Sequence, residues 1–386
     1  MSRAILAGAI VWLIGSATSA PCGNFASIYI FGDSVLATST NNATGSATNL
    51  YYGKRYTNGR TWVEVLAQRQ GFGANSITNI NWSYSSNNVS FYGQSSPVLV
   101  TNVGKFVAPT NATNCLFVVW VCDADFVGDM NDPNVGNPIT APQNGTNIAA
   151  WTSAINQHLT NHFIAITNLY AKGCRTLIAP NAVDVTAVPE FNTSATNYRA
   201  FVRQRIISFN TNYVAMLQQI AASNAGLTVY TPDMFGLLDS ALTNATSYGL
   251  TNALHNGASI DVIEAYGYGL LPNANLNGPG TNYIFWDRGG DPTAKFCEVT
   301  ADVVQKLIAP AQITNVAVSN GNCELDVANV PIGLNGFVDG GTNLVLTNWA
   351  PQANFACTNA TQMVLVPTSG TQWFYRLRFP YAWSWP

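Results

Sequence analysis

The sequence predicts an α/β domain, with a mainly parallel sheet between helical layers, followed by a small β-sandwich. Three observations carry this. Short, mostly apolar runs recur at Ile28–Phe31, Leu116–Val121 and Thr176–Ala179, and an apolar run without alternation marks a strand buried on both faces. Between these runs apolar residues return at helical spacing, the pattern of βαβ units. From Ala311 the texture changes to short alternating runs such as Ile313–Val318, Leu344–Leu346 and Met363–Val366, separated by Asn-Gly, Gly-Gly and Ser-Gly pairs. That reads as antiparallel strands and turns.

Residues 1–20 read as an export signal. Arg3 supplies the positive end, Ala4–Ile14 an apolar core, and Gly15-Ser16-Ala17 or Thr18-Ser19-Ala20 the cleavage site. The core is too short to span a bilayer and no later stretch is long enough. The expectation is a secreted or periplasmic protein of two parts: an α/β domain over 21–310 and an all-β domain over 311–386.

The first strand runs into Gly32-Asp33-Ser34. Glycine permits a sharp turn, and Asp33 and Ser34 favour the N-cap of a helical turn beyond the strand. A serine at the carboxyl edge of a parallel sheet stands where ligands bind in open α/β folds. Residues 37–49 are polar and small, a surface loop. Thr57 or Asn58 is placed to cap a helix carrying Trp62, Val65, Leu66 and Arg69. A strand and turn come next at 77–91, then the strand Cys115–Val121. Residues 123–146, rich in Asp, Asn, Pro and Gly, read as a long loop over the carboxyl edge.

The next helix is Ile148–Lys172, with Trp151, Ile155, Leu159, Phe163, Ile166 and Tyr170 at helical spacing and Gly173 as its C′ residue. A helix over Tyr198–Ser223, a strand at Leu227–Tyr230 and a helix over Thr293–Ile308 complete the domain. In the C-terminal part Trp373–Phe379 reads as the last strand. The terminal aromatics Tyr381, Trp383 and Trp385 read as packing back on it, with an exposed sugar-binding strip as the alternative.

Only 9% of the 386 residues are charged and the net charge is −3, against a usual charged fraction of about 25%. No basic surface calls for nucleic acid. A neutral surface rich in Asn and Thr suits carbohydrate, or reflects no function at all. Seven cysteines occur. Cys323 and Cys357 are the two in the C-terminal part, and a disulfide between them would contribute roughly 3–4 kcal/mol. No Cys-x-x-Cys or matching histidine spacing appears, so neither a metal nor a cofactor is predicted.

The segment Phe31-Gly32-Asp33-Ser34-Val35 resembles the Gly-Asp-Ser-Leu signature of the GDSL, or SGNH, hydrolases. Residues 51–67, which include Gly53-Lys54-Arg55-Tyr56-Thr57-Asn58-Gly59-Arg60-Thr61-Trp62, are similar to the "G-x-R-x-S-N-G-R-x-W-x-E-x-L-A" segment of its plant-lipase-like branch. Leu116–Val121 resembles the third-block strand. Tyr283–Asp287 with Pro292-Thr293 resembles the last block. The matches stand in the family's order and cover most of residues 25–310. The resemblance implies a three-layer α/β/α domain and an ester hydrolase. In that mechanism a serine attacks the ester, a histidine takes its proton, an aspartate orients the histidine, and N–H donors hold the oxyanion.

Carried over residue by residue, the match is incomplete. The nucleophile falls on Ser34 and the triad aspartate on Asp287. Oxyanion donors fall on the backbone N–H groups of Ser34, Ser86 and Ala124. The family's asparagine falls on Ala124, which has no side-chain donor. The last block reads Asp287-Arg288-Gly289-Gly290-Asp291-Pro292-Thr293, with one extra residue and Asp291 in the place of the histidine. Asp291 and His255 are the two candidate replacement bases. His158 and His162, four apart, read as polar residues on a helix surface. Losing a triad histidine lowers kcat by roughly 10⁶, and losing an oxyanion donor by roughly 10²–10³. Two readings result. One is an exported ester hydrolase on acylated carbohydrate or lipid esters, weak or inactive, with Ser34 as nucleophile. The other is a non-catalytic descendant that binds glycans or serves surface assembly.

Overall fold

A computed structural model of the chain describes residues 25–38, 52, 55–72, 95–139, 145–250, 254–255, 258–259, 282–286, 289–319, 321–342, 349–367, 373–380 and 383–384. The segment read as an export signal, the strand predicted at 77–91, and Tyr381 and Trp385 lie outside these residues.

Strands β1 (Ile28–Gly32), β2 (Leu116–Trp120), β3 (Thr176–Ile178) and β4 (Thr228–Tyr230) form one parallel sheet in the order β1-β2-β3-β4. Alternation along the strands assigns the two faces. Tyr29 and Phe31 point to the face on which Phe106, just after helix α2 (Ser95–Lys105), sets its ring 5.1 and 5.4 Å from theirs. Trp120 points to the other face, 5.9 Å from Trp62 of helix α1 (Trp62–Arg69). Helix α2 packs on α4 (Ile148–Ala171), and α4 on α5 (Thr196–Ser223). Helix α1 packs on α7 (Ala294–Ile308). Helices therefore cover both faces of a fully buried β2, which is why its run shows no polar alternation.

Two expectations are corrected. Residues 123–146 do not form one long loop, because helix α3 spans Cys122–Asn131. Its aspartates at positions 123 and 125 lie in the first turn, where the helix dipole favours anions. Phe126 and Met130, four apart, are buried. A composition typical of loops hides a short amphipathic period. In α4 the residues predicted to face outward face inward: His158 and His162 are 1% and 0% exposed, while Phe163 is 45% exposed. The buried stripe runs through Trp151, Ile155, His158, His162 and Ile166, with two imidazoles where aliphatic residues are usual.

Helix α6 (Met234–Thr243) follows β4. Two-residue strands β5 (Leu254–His255) and β6 (Ala258–Ser259) pair antiparallel. Beyond α7 the strands are β7 (Gln312–Ser319), β8 (Asn322–Ala328), β9 (Asn335–Gly341), β10 (Ala350–Ala356), β11 (Thr361–Pro367), β12 (Phe374–Phe379) and β13 (Trp383–Ser384). They form two antiparallel sheets, β11-β8-β7 and β10-β9-β12-β13. Leu325, Val364 and Val366 of the first and Val338, Leu377 and Phe379 of the second share one apolar cluster.

Cys323 and Cys357 both lie in this cluster, yet each is a free, buried thiol, so the predicted disulfide is not present. Cys323 is the second residue of β8, opposite Val318 and Val366. Cys357 comes directly after β10 in the other sheet. Both are expected to resist alkylation in the folded protein and to react fully in denaturant; mass mapping without reductant checks this. Recovery of a Cys323–Cys357 peptide would contradict it.

The C-terminal strands meet the α/β domain at Arg69, the last residue of α1. Its Nε donates to Asp302 of α7 at 2.8 Å and its Nη1 to the Ile332 carbonyl at 3.1 Å. The Ile332 N–H donates back to the Arg69 carbonyl at 3.3 Å. Burial pushes the Asp302 carboxyl up to about 6 despite the opposing pull of Arg69.

Candidate functional site

Ser34 opens a single 3-10 turn, Ser34–Leu36, at the carboxyl end of β1. Gly32 makes the turn feasible: a Cβ there would lie 1.9 Å from Leu36 Cδ1 and 2.5 Å from the Trp120 carbonyl oxygen. Asp33 caps the turn by accepting the Val35 N–H at 3.2 Å. The buried Asp33 thus sits inward while Ser34, partly exposed, faces the sheet edge.

The second part of the site comes from 257 residues away. Ser34 Oγ donates to Asp291 Oδ1 at 2.7 Å. The strand-like pair Phe285 and Pro292 holds Asp291 there, with Trp286 N–H on the Asp291 carbonyl at 2.7 Å and Thr293 N–H on the Ile284 carbonyl at 3.0 Å. Gly290 turns the chain at φ +97°, and its Cβ position is filled by Val188 at 2.6 Å. Thr293 then caps α7 by accepting the Phe296 N–H, while its own hydroxyl donates to the Tyr283 carbonyl. These anchors around residue 291 are made by its backbone and its neighbours, so a change of side chain there leaves the loop in place.

The polar residues of the 51–67 segment brace this loop. Asn58 Oδ1 accepts the Ala294 N–H at 2.8 Å, so Asn58 serves α7. The predicted α1 cap at Thr57 or Asn58 falls instead to Thr61, whose N–H donates to Glu64 Oε2 at 3.0 Å in a capping box. Glu64 also takes a two-pronged hydrogen bond from Arg55, at 2.6 and 2.5 Å.

Below Ser34 lies a buried polar cluster absent from the sequence-based expectations. Asp33 Oδ2 accepts the Ala124 N–H at 3.4 Å, and Asp123 Oδ1 accepts the Val183 N–H at 2.8 Å. Burial, opposed by the N–H donors and reinforced by Asp125, pushes Asp33 up to about 7. Burial and then Asp33 raise Asp123 well above the carboxylate range. His158 sits between Asp129, at 2.9 Å, and Asp125, at 3.7 Å. Burial opposes its charge, but the two carboxylates win and hold it at about 9. His162 gives its Nδ1–H to the His158 carbonyl and faces Cys122 Sγ with Nε2 at 3.6 Å. Burial keeps that imidazole neutral and the Cys122 thiol protonated. The available signal is positional: an aspartate comes within a few residues of the end of each of the strands β1 and β2.

Of the expected site residues, Ser34 and Asp291 meet. The Ala124 N–H, one of the expected oxyanion donors, is directed at Asp33 at 3.4 Å. Ser86 and Asp287 lie outside the described residues, as does the side chain of His255; its backbone forms β5. Among the described residues, no group of three or more His, Cys, Asp or Glu side chains could hold a metal ion, and no helix is long and apolar enough to cross a membrane. No family model and no curated protein matches the chain.

Proposed function

We propose that the chain is an exported ester hydrolase of the GDSL type, with Ser34 as nucleophile and Asp291 as its proton acceptor. The observation that carries this is the 2.7 Å hydrogen bond from Ser34 to Asp291 at the carboxyl edge of a parallel sheet. In the reaction Ser34 Oγ attacks the ester carbonyl carbon as its proton passes to Asp291. The tetrahedral intermediate expels the alcohol, which takes that proton, and water hydrolyses the acyl-serine by the same route. An aspartate is a weaker base than an imidazole, so turnover is slow. The substrates that fit a surface so poor in charge are neutral esters, acylated carbohydrate or lipid among them.

A second reading, binding without catalysis, is favoured by the Ala124 N–H, which serves Asp33 and leaves an oxyanion short of a donor. Turnover of p-nitrophenyl acetate by the intact chain, with covalent labelling by a fluorophosphonate, decides between them. The hydrolase reading expects slow turnover and a single adduct on Ser34. Neither turnover nor adduct leaves the binding reading.

A further inference from the structure

We propose that the free edge of β7 pairs with β7 of a second copy of the chain, so that the sheets β11-β8-β7 of two C-terminal domains run on as one. This contact does not depend on the hydrolase reading.

Sheet edges are where a further strand adds, and folded proteins usually blunt them. Among the described residues, three of the four edges of the two C-terminal sheets are blunted. β10 carries Pro351 and a shift of register between Pro351 and Ala353. β11 ends on Pro367 and packs against β10 of the other sheet. There Gln362 takes the Thr358 N–H at 3.3 Å and donates to the Ala356 carbonyl at 3.0 Å. β13 is two residues long. β7 differs from all three. It has eight residues, Gln312–Ser319, and holds no charged residue, proline or glycine. The one irregularity in its pairing with β8 falls between Ile313 and Asn315, so Asn315–Ser319 run in regular register. Among the described residues no strand pairs with its outer edge, where alternate N–H and C=O groups point away from β8.

The side chains of β7 are unpartnered in the same way. Val316 lies opposite Leu325 and Val318 opposite Cys323, so both point to the face that carries the apolar cluster. Leu325 and Cys323 are buried there, yet Val316 and Val318 are 55% and 74% exposed. Ile313, nearer the start of the strand, packs against the cluster; the second sheet does not reach the two valines. The occupant that fits is a second β7. In an antiparallel pair with its two-fold axis at Ala317, Val316 faces the partner's Val318, and Val318 faces the partner's Val316. Apolar meets apolar at both inward positions, and no charge meets a like charge. A two-fold contact of this kind closes on itself. A net charge of −3 gives two copies little repulsion to overcome. The contact is one strand wide, below the roughly 1,200 Å² of standard interfaces, so the dimer is a weak one that dissociates in the micromolar range.

Sedimentation velocity on the intact chain is expected to show the mass moving from one chain to two between about 1 and 200 μM. Val316→Glu and Val318→Lys then test the register, at positions more than half exposed and so not needed for the fold. Each single variant is expected to weaken the dimer at least roughly tenfold, because a charge is brought to the closing edge. The double variant Val316→Glu/Val318→Lys sets an acid against a base at both inward positions. It is expected to recover most of the loss, with a dissociation constant that rises with salt. Wild type that stays a single chain up to about 200 μM overturns the pairing. Slow hydrogen exchange over Asn315–Ser319 at every concentration would then show that a segment of the same chain covers the edge. Mass that grows beyond two chains overturns the closed dimer in favour of head-to-tail addition. A dimer untouched by either single variant lies elsewhere on the chain, and a double variant that recovers nothing overturns the two-fold register. If the variants do not fold, hydrogen exchange of wild type decides. Protection of Asn315–Ser319 that rises with concentration supports the pairing, and protection independent of concentration overturns it.

Discussion

Replacing Ser34 with alanine is expected to abolish both ester turnover and fluorophosphonate labelling. The hydroxyl is the attacking atom, and the remaining N–H donors cannot supply a nucleophile. Asp291→Asn keeps the shape but cannot take a proton, and is expected to lower kcat by about 10², the low end for a general base because the base it replaces is weak. Asp291→His should move the other way. The loop is held through the backbone of residue 291, so an imidazole can be offered at the same place. A gain in kcat/KM of about tenfold is expected, far below the roughly 10⁶ of a complete triad. Michaelis–Menten measurements on p-nitrophenyl acetate check all three variants. Wild-type turnover that survives Ser34→Ala would show that the chemistry is elsewhere.

The second large effect is structural. Arg69→Met removes the partner of a buried carboxylate and the donor to Ile332, and is expected to destabilise the protein by about 3–5 kcal/mol. Burial already raises the Asp302 carboxyl, so without Arg69 it takes a proton, and the loss is that of the ion pair and its hydrogen bonds. Adding Asp302→Leu should restore a substantial part, because an apolar pair leaves no unpaired carboxyl in the interior. Calorimetry on the two variants and wild type gives the comparison. A chain ending at residue 310 loses the Ile332 carbonyl and should also melt below the intact protein. Equal melting of the two would mean that the Arg69 contact contributes nothing.

How much can be read from the chain depends on the range of the forces involved. The strands β1, β2 and β3, the helices α4, α5 and α7 and the change of texture at 311 are legible because burial on a sheet or helix imposes a local period. Gly32 is legible as a turn, and the space around it explains why no side chain fits. Helix α3 is not, because its aspartates and asparagine imitate a loop, and they are tolerated only where the helix N-terminus and buried N–H donors receive them. His158 and His162 mislead because an imidazole is polar by type, and nothing local reveals that two carboxylates wait for one of them inside. The order of Gly-Asp-Ser near residue 32 and Asp-Pro-Thr near residue 291 hints at one site. Their meeting at 2.7 Å is decided by the parallel sheet that sets the edge, the Phe285–Pro292 pairing that aims the loop, and Asn58, which ties α7 to the segment before α1. The free thiols of Cys323 and Cys357 have the same cause. A count of cysteines is local, but whether two sulfurs face one another depends on the register of strands in two different sheets.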